Sequence, residues 1–296
     1  MHPIERLRAV ARARDVDQRV LAREAAMVLG ALADDPLGLV TSCRRLLDRH
    51  PGAGVLWWAC ARLLDSATPR AEARKVVADL ADEDAALRSL SLDLPEHSTV
   101  AVVPDAAGGS ELADRLAVRR RDLVPVEAAD PALDLAAVID AGATLGAEAA
   151  GAGDGAGRGA GPPERPGPSG RQPGGTDARD AETGGLDAGL ETGPGEAEAG
   201  GRPVPGTGPT IVVVEAGAAG PDRFLAVAGA GEGIATARDR RLPVWLVVGP
   251  GARLPGPLFE AAAARAPDCE VLPVSVTDRL VEPRSVPCPC PPELLR

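Results

Sequence analysis

A glycine-rich segment interrupts a regular alternation of strands and helices in the middle of this 296-residue chain. Between Gly151 and Gly200, 16 of 50 residues are glycine, and the only large apolar side chains are Leu186 and Leu190. Such a segment cannot bury enough apolar surface to offset the entropy lost on ordering it. The sequence therefore predicts a disordered insertion over residues 151–208. A neutral expansion of a surface loop is favoured over a regulated binding segment, because loop closure costs little extra as a loop lengthens.

Strands and helices alternate on both sides of this insertion. Before it, the strands STVAVVP and DLVPVEA are each followed by a helical pattern. After it, the strands TIVVVEA, LPVWLVV and CEVLPVSV are separated by the predicted helices FLAVAGAGEGIATARDRR and GPLFEAAAARA. This alternation is typical of a mostly parallel sheet. Two separate domains would have only two or three strands each, which is few for an open sheet. We therefore predict one Rossmann-like α/β domain, formed by residues 96–150 and 209–296.

Residues 1–95 have the apolar spacing of helices and are predicted to form a helical domain. The apolar residues recur three and four positions apart, as at Leu7, Val10, Leu21 and Val28. The adjacent Trp57 and Trp58 lie in one predicted helix, where successive side chains point about 100° apart. We expect one of them in the core and the other near its margin.

Composition excludes several classes of function. The net charge of −11 argues against a general nucleic-acid-binding protein, because duplex affinity depends on cationic side chains that neutralise phosphates. The amino terminus has no apolar signal-peptide core, and no apolar run is long enough to span a membrane. The five cysteines are scattered, as expected of reduced thiols. Arginine, alanine, glycine and proline have GC-rich codons. The sequence thus predicts a cytoplasmic protein from a GC-rich bacterial genome.

Polar and small residues lie where three predicted strands end. Glu215 ends one strand, Asp105 follows another, and Gly249 and Arg253 lie in the loop after a third. Open α/β sheets bind ligands outside the carboxyl ends of their strands. We therefore predict a ligand-binding cleft at these residues. For Arg253, contact with an anion is one interpretation, and a solvated side chain is the commoner outcome.

A glycine-rich motif, GAGEG, begins at Gly229. A dinucleotide fingerprint requires the spacing G-x-G-x-x-G directly after a strand. Here the spacing is G-x-G-x-G, and no strand is predicted next to it. No nucleotide cofactor is therefore predicted. Gly229 and Gly231 are expected to permit close approach of the backbone to a ligand, or of the helix to the sheet.

No metal site is predicted. The three histidines do not have ligand spacing, and Cys288 and Cys290 form a C-x-C pair without a second pair to complete four ligands. A proline-stiffened tail is the simpler interpretation of those two cysteines, since proline flanks both.

Several of these motifs together resemble a known family. A helical domain precedes the sheet, a late strand runs into VEAGAAGPD, a later one reads RLPVWLVVG, and the chain closes on CPPELLR. This arrangement resembles the α, β and δ subunits of eukaryotic translation initiation factor 2B. It equally resembles their relatives, the methylthioribose-1-phosphate and ribose-1,5-bisphosphate isomerases. The resemblance implies a Rossmann-like domain with a cleft for a sugar phosphate or nucleotide.

The departures from the family pattern concern its catalytic residues. The resemblance places the family's catalytic Asp at Gly217 and its Asn-Lys pair at Ala226 and Val227, whereas Gly229 is retained. The isomerase cysteine falls near Pro104. The family's proton-transfer groups are thus absent from their expected positions.

Three hypotheses follow. The first is a non-catalytic binding or regulatory protein for a phosphorylated small molecule. The second is an isomerase with a rearranged site centred on Glu215, and the third is a helical module that binds a protein partner or a second copy. Neither nucleic acid nor a membrane is an expected partner. The predicted ligand-binding residues are Glu215, Gly217, Gly229, Gly231, Gly249, Arg253 and Asp105.

Overall fold

A computed structural model describes residues 3–13, 16–81, 85–106, 111–128, 130–132, 134–138, 208–282 and 287–295. Apart from Gly208, the insertion predicted over 151–208 lies outside these residues. None of the helices in the described ranges is long and apolar enough to cross a membrane.

The amino-terminal part is helical, as predicted. Its described residues form six helices: α1 (Pro3–Arg12), α2 (Gln18–Gly30), α3 (Pro36–Arg49), α4 (Gly54–Asp65), α5 (Pro69–Asp79) and α6 (Ala85–Asp93). Asp17 and Asp35 cap α2 and α3, each accepting a backbone N–H bond. Helix α4 is buried along nearly its whole length, which makes it the centre of the helical layer.

Both tryptophans of α4 are buried, so the expectation that one lies at the margin of the core is wrong. Trp57 and Trp58 are each 0% exposed. Neighbouring helices and the sheet cover α4 from several sides, so adjacent helical positions both find apolar surroundings. The guanidinium groups of Arg265 and Arg62 lie over the two rings, at 5.2 and 4.8 Å from the ring centroids of Trp57 and Trp58 respectively.

The predicted interrupted sheet is confirmed. The main sheet of the described residues has the strand order β2-β1-β3-β6-β8, and all its pairs are parallel. Strand β1 (Thr99–Val103) and strand β2 (Val124–Glu127) precede the insertion; β3 (Thr210–Glu215), β6 (Val244–Val247) and β8 (Arg279–Val281) follow it. Strand β1 pairs with β3 from Thr99↔Thr210 to Val103↔Val214. The two halves of the sequence therefore form one sheet.

A second, antiparallel sheet corrects two sequence predictions. It consists of β4 (Ala218–Ala219), β5 (Arg223–Val227) and β7 (Cys269–Pro273) within the described part of the chain. The predicted long helix beginning at Phe224 is instead β5 followed by helix α8 (Ala230–Asp239), and β7 is not part of the parallel sheet. A short apolar run such as FLAV has no periodicity that separates strand from helix. Gly229, with φ of 85°, makes the change of direction between them.

The main sheet is buried on both faces. Val212 and Val214 of β3 face the larger core beneath the helical layer, whereas Ile211 and Val213 face a smaller core. The smaller core is completed by α6 and by α7 (Leu112–Arg119), and it contains Trp245. Helix α9 (Gly256–Arg265) joins the larger core. Because alternate residues of one strand face opposite sides of the sheet, a continuous apolar run such as IVVV indicates a strand that is buried on both faces.

Candidate functional site

A small pocket lies at the carboxyl edge of the parallel sheet. Three of the predicted site residues line it: Asp105 after β1, Glu215 at the end of β3 and Gly249 after β6. Its volume is about 40 Å³, room for a few water molecules. The other polar side chains that line it come from α2 or the residue before it and from α7: Asp17, Gln18, Arg19 and Arg115.

Gln18 joins the helical layer to the edge of the sheet. Its Nε2 donates to Oδ2 of Asp105 at 2.9 Å and to the carbonyl oxygen of Ala216 at 3.4 Å. Its Oε1 accepts a bond from the backbone N–H of Val55, at the amino end of α4, at 3.2 Å. Gln18 is 6% exposed and Asp105 4% exposed. Because both groups are buried, breaking the bond between them without replacing it is expected to cost about 1–3 kcal/mol.

Asp17 lies between the two arginines of the pocket. Its carboxylate is 2.7 Å from Nη2 of Arg19 and 3.8 Å from Nη2 of Arg115, and it accepts the backbone N–H of Arg19 as the cap of α2. Burial alone would raise the pKa of Asp17. Hydrogen bonds from Arg19 and the charges of Arg19 and Arg115 outweigh burial, so the pKa lies below its ordinary value. The arginines therefore already face a carboxylate.

Asp17→Asn is expected to make the stability of the protein less sensitive to acid. Because the pKa of Asp17 is lower in the folded than in the unfolded state (about 3.9), its charged form adds stability that is fully present above about pH 4. That stability is lost as the pH falls through the folded-state pKa. Asparagine keeps the cap acceptor but takes up no proton. Unfolding free energies measured in urea between about pH 7 and about pH 2.5 should fall less steeply for the variant; identical acid slopes would contradict this.

Gly217 serves close packing between the helical layer and the sheet. Its carbonyl oxygen accepts the backbone N–H of Gly54 at 2.8 Å. A Cβ atom at Gly217 would lie 2.6 Å from the carbonyl oxygen of Gly52 and 2.7 Å from Cβ of Ala106. Here glycine permits the turn before α4 to reach the end of β3.

The GAGEG loop lies at a different place from the sheet-edge pocket. The expectation that no strand precedes it is wrong, because β5 ends at Val227. The backbone N–H groups of Gly229 and Gly231 donate to Oε1 and Oε2 of Glu270, each at 2.7 Å. The loop glycines thus contact a carboxylate of the chain itself.

Arg253 is also not among the residues that line the sheet-edge pocket. Its Nε is 3.9 Å from Glu282, and its buried Nη1 has no hydrogen-bond partner among the described residues. The structure therefore brings together Asp105, Glu215 and Gly249, and it places Gly217, Gly229, Gly231 and Arg253 elsewhere.

Four of the polar residues that line the pocket are not among the predicted site residues: Asp17, Gln18, Arg19 and Arg115. The segment DVDQRV does carry a helix-start signal at Asp17, which predicts a cap but not a pocket. Gln18 is 87 residues from Asp105 and 198 residues from Ala216 along the chain. Only the packing of α2 on the sheet edge reveals this contact.

Cys269 and Cys288 do not have the properties of reactive thiolates. Burial, followed by the neighbouring Cys290, raises the pKa of Cys288 to about 12. Burial, followed by the charges of Asp268 and Asp105, also raises the pKa of Cys269. Within the described ranges, no group of three or more His, Cys, Asp or Glu residues is arranged to hold a metal ion. The polar chemistry of the candidate site therefore rests on carboxylates, arginines and Gln18.

Comparison by sequence yields no match, either to a family model or to a curated protein. Comparison of the fold with solved structures yields several matches. A subunit of the tetrameric eIF2B-β2-δ2 complex from C. thermophilum superposes with a TM-score of 0.54 and 14% identity, covering 94% of this chain and 88% of the other.

Two proteins of Pyrococcus horikoshii are similar in the same way. The translation initiation factor eIF-2B of Pyrococcus horikoshii gives a TM-score of 0.54 and 10% identity, and covers 94% of each chain. The 5-methylthioribose 1-phosphate isomerase of Pyrococcus horikoshii gives a TM-score of 0.51 and 12% identity, and the match covers 99% of this chain and 85% of the isomerase. At these identities the similarity concerns the fold: this chain has the fold found in eIF-2B subunits and in 5-methylthioribose 1-phosphate isomerase.

Proposed function

We propose that the protein is a non-catalytic binding or regulatory protein, related to eIF-2B subunits and sugar-phosphate isomerases, whose ligand is a small phosphorylated molecule. The observation that carries this proposal is the Gln18 bridge, which holds the helical layer against the sheet edge at Asp105 and Ala216. The remaining volume of about 40 Å³ is far below the 300–1,000 Å³ of ordinary small-molecule sites. A sugar phosphate therefore enters only if the helical layer moves. Coupling of binding to such a movement is what regulation requires.

The polar groups of the pocket suit such a ligand. Arg19 and Arg115 supply the positive charge that a phosphate needs, and both already contact an anion, the Asp17 carboxylate. Asp105 and Glu215 supply carboxylate oxygens, which accept hydrogen bonds from the hydroxyl groups of a sugar. In this proposal the phosphate replaces Asp17 as the partner of the arginines when the pocket opens.

The absence of turnover is supported by what occupies the family's catalytic positions. Sugar-phosphate isomerisation requires one group that removes a proton and one that returns it, both within reach of the substrate. The position that the resemblance gives to the catalytic aspartate is Gly217, whose carbonyl oxygen bonds Gly54. The carboxylate of Asp105, near the expected cysteine position, is bonded to Gln18.

An activity assay combined with a binding assay tests the proposal. The purified protein should form no isomerised product from 5-methylthioribose 1-phosphate or ribose 1,5-bisphosphate. Gln18→Ala should bind ribose 1,5-bisphosphate about three- to tenfold more tightly than the wild type, the equivalent of one net hydrogen bond of about 0.5–1.5 kcal/mol. The reason is that the variant no longer has to break the bridge before it binds.

Val20→Ala is the matched control, because Val20 lies on the same helix, is 40% exposed and does not line the pocket. Its affinity for the bisphosphate should equal that of the wild type. Turnover of either sugar would contradict the non-catalytic proposal. Binding to neither the wild type nor Gln18→Ala would contradict the proposed ligand.

An isomerase with a rearranged site is the second candidate, and one observation favours it. Asp105 and Glu215 line the same pocket, which is the arrangement that a pair of acid and base groups requires. If the activity assay detects product, Glu215→Gln should abolish it. Our proposal instead expects Glu215→Gln to change the affinity for the phosphorylated ligand, because the wild type has no catalytic rate that the substitution could lower.

A protein partner, or a second copy of the chain, is part of the same regulatory proposal. Leu92 on α6 and Val118 on α7 are 81% and 82% exposed, on two helices that pack against each other. The comparable eIF2B chain is taken from a tetrameric complex. Exposed apolar side chains on adjacent helices support a contact surface of this kind.

A further inference from the structure

The amino end of helix α8 holds a carboxylate that belongs to the protein. Oε1 of Glu270 accepts the backbone N–H of Gly229, and Oε2 accepts the backbone N–H of Gly231, both at 2.7 Å. Both oxygens of one side chain are therefore bonded to two N–H groups at the start of one helix. Hydrogen bonds to a charged acceptor are shorter and stronger than neutral ones, and these have the corresponding length.

Strand pairing brings Glu270 to this position. Glu270 lies on β7 opposite Ala226 of β5, the strand that leads into the loop. Gly229 then turns the chain with φ of 85°, a conformation that favours glycine. A Cβ atom at Gly231 would lie 2.8 Å from Oε2 of Glu270, so glycine is also needed there for the carboxylate to approach.

The other side of the helix start is covered as well. A Cβ atom at Gly229 would lie 3.3 Å from Cβ of Ala132, and one at Gly233 would lie 2.8 Å from the carbonyl oxygen of Pro131. The helix start is thus enclosed by β7 on one side and by residues 131–132 on the other. An external anion would have to displace Glu270 to reach the N–H groups.

Displacing Glu270 is unfavourable for an electrostatic reason. The amino end of a helix carries a partial positive charge that one anion satisfies. An incoming phosphate would leave the Glu270 carboxylate without its two donors and beside a second negative charge. We infer that Glu270 is an internal anion that closes the amino end of α8 to external phosphate. Glu270 does not line the sheet-edge pocket, so this inference is independent of the proposed ligand site.

Removing the internal anion is expected to create affinity for an external one. The melting temperature of Glu270→Ala should be lower than that of the wild type. It should rise with inorganic phosphate more than with chloride at equal ionic strength, since a ligand that binds the native state stabilises it. Titration calorimetry should show inorganic phosphate bound about tenfold more tightly than by the wild type, within the range of helix-terminus effects. The wild type should show only the smaller general stabilisation that phosphate gives relative to chloride.

Glu232→Ala is the matched control. Glu232 lies in the first turn of the same helix and is exposed, and its substitution removes the same charge without freeing the two N–H groups. It should respond to phosphate as the wild type does. A phosphate response of Glu270→Ala that equals that of Glu232→Ala would overturn the inference, as would wild-type phosphate binding that shifts the backbone amide signals of Gly229 and Gly231.

Glu270→Gln provides the test if the alanine variant does not fold. Glutamine has the same size and keeps one acceptor oxygen, but its amide nitrogen cannot accept the second N–H bond. The amide signals of Gly229 and Gly231 should then shift with inorganic phosphate in this variant and not in the wild type. Unchanged signals in the glutamine variant would overturn the inference.

Discussion

Trp58→Ala is expected to lower the free energy of unfolding by about 3–5 kcal/mol, the range for a buried tryptophan truncated to alanine. Trp58 is 0% exposed and lies at the centre of the helical layer, under the guanidinium of Arg62. Its ring also supports the loop after β6, since a Cβ atom at Gly251 would lie 2.9 Å from Cε3 of Trp58. Gly249 and Pro250 of that loop line the sheet-edge pocket, so the substitution removes support from the candidate site too.

Phenylalanine variants separate the packing of the two tryptophans from their hydrogen bonding. Nε1 of Trp57 donates to the carbonyl oxygen of Pro51 at 3.0 Å, whereas the buried Nε1 of Trp58 has no partner among the described residues. Trp57→Phe removes a donor that makes a hydrogen bond. Trp58→Phe removes a buried donor that makes none with the described residues. Urea denaturation followed by circular dichroism should therefore find Trp58→Phe the less destabilising of the two. If Trp58→Ala leaves the free energy of unfolding nearly unchanged, α4 is not the centre of the core.

Gly217→Ala is expected to destabilise the protein by about 1–3 kcal/mol, the usual cost of overpacking. Its Cβ would meet the carbonyl oxygen of Gly52 at 2.6 Å and the backbone nitrogen of Ala106 at 3.2 Å. Backbone atoms on both sides cannot move aside as the end of a flexible side chain can. Relief therefore requires the turn before α4 to move away from β3, which also stretches the bond between Gly54 and Gly217.

Gly249→Ala is the control for this prediction, because Gly249 lines the pocket and has no atom within 4 Å of a Cβ placed there. Its free energy of unfolding should match that of the wild type. The comparison distinguishes the two roles considered for Gly217, contact with a ligand and packing between layers. Equal stability of both variants would contradict the packing role and return Gly217 to the set of candidate ligand contacts.

The alternation of apolar runs predicted four of the five described strands of the main sheet, β1, β2, β3 and β6, and the reason is local. A run such as Ile211–Val214 is β-branched throughout and too short for a helix, and both of its faces are buried. The same reasoning failed at Phe224–Val227, where a short apolar run continues into a glycine-rich helical pattern. Pairing with β7 determines that this segment is a strand, and β7 lies more than forty residues later along the chain.

The candidate site was predicted only on its sheet side. Asp105, Glu215 and Gly249 follow parallel strands, so their proximity follows from sheet geometry alone. Gln18 and Asp17 come from the helical layer, and no periodicity in the sequence states which helix covers the edge of the sheet. The loop glycines illustrate the same limit, because Glu270 reaches them through an antiparallel pair that was not predicted.

The sequence by itself determined the helical amino-terminal part, four of the parallel strands and the continuity of the sheet across the insertion. Each depends on the periodicity of apolar residues within short segments, because that periodicity follows directly from which faces of a helix or strand are buried. Only the tertiary structure decided which polar groups meet: Gln18 with Asp105, Asp17 with Arg115, and Glu270 with Gly229 and Gly231. Those contacts join residues that are far apart in the chain and depend on how layers dock. A buried polar group is stable with whichever complementary partner the packing brings within reach.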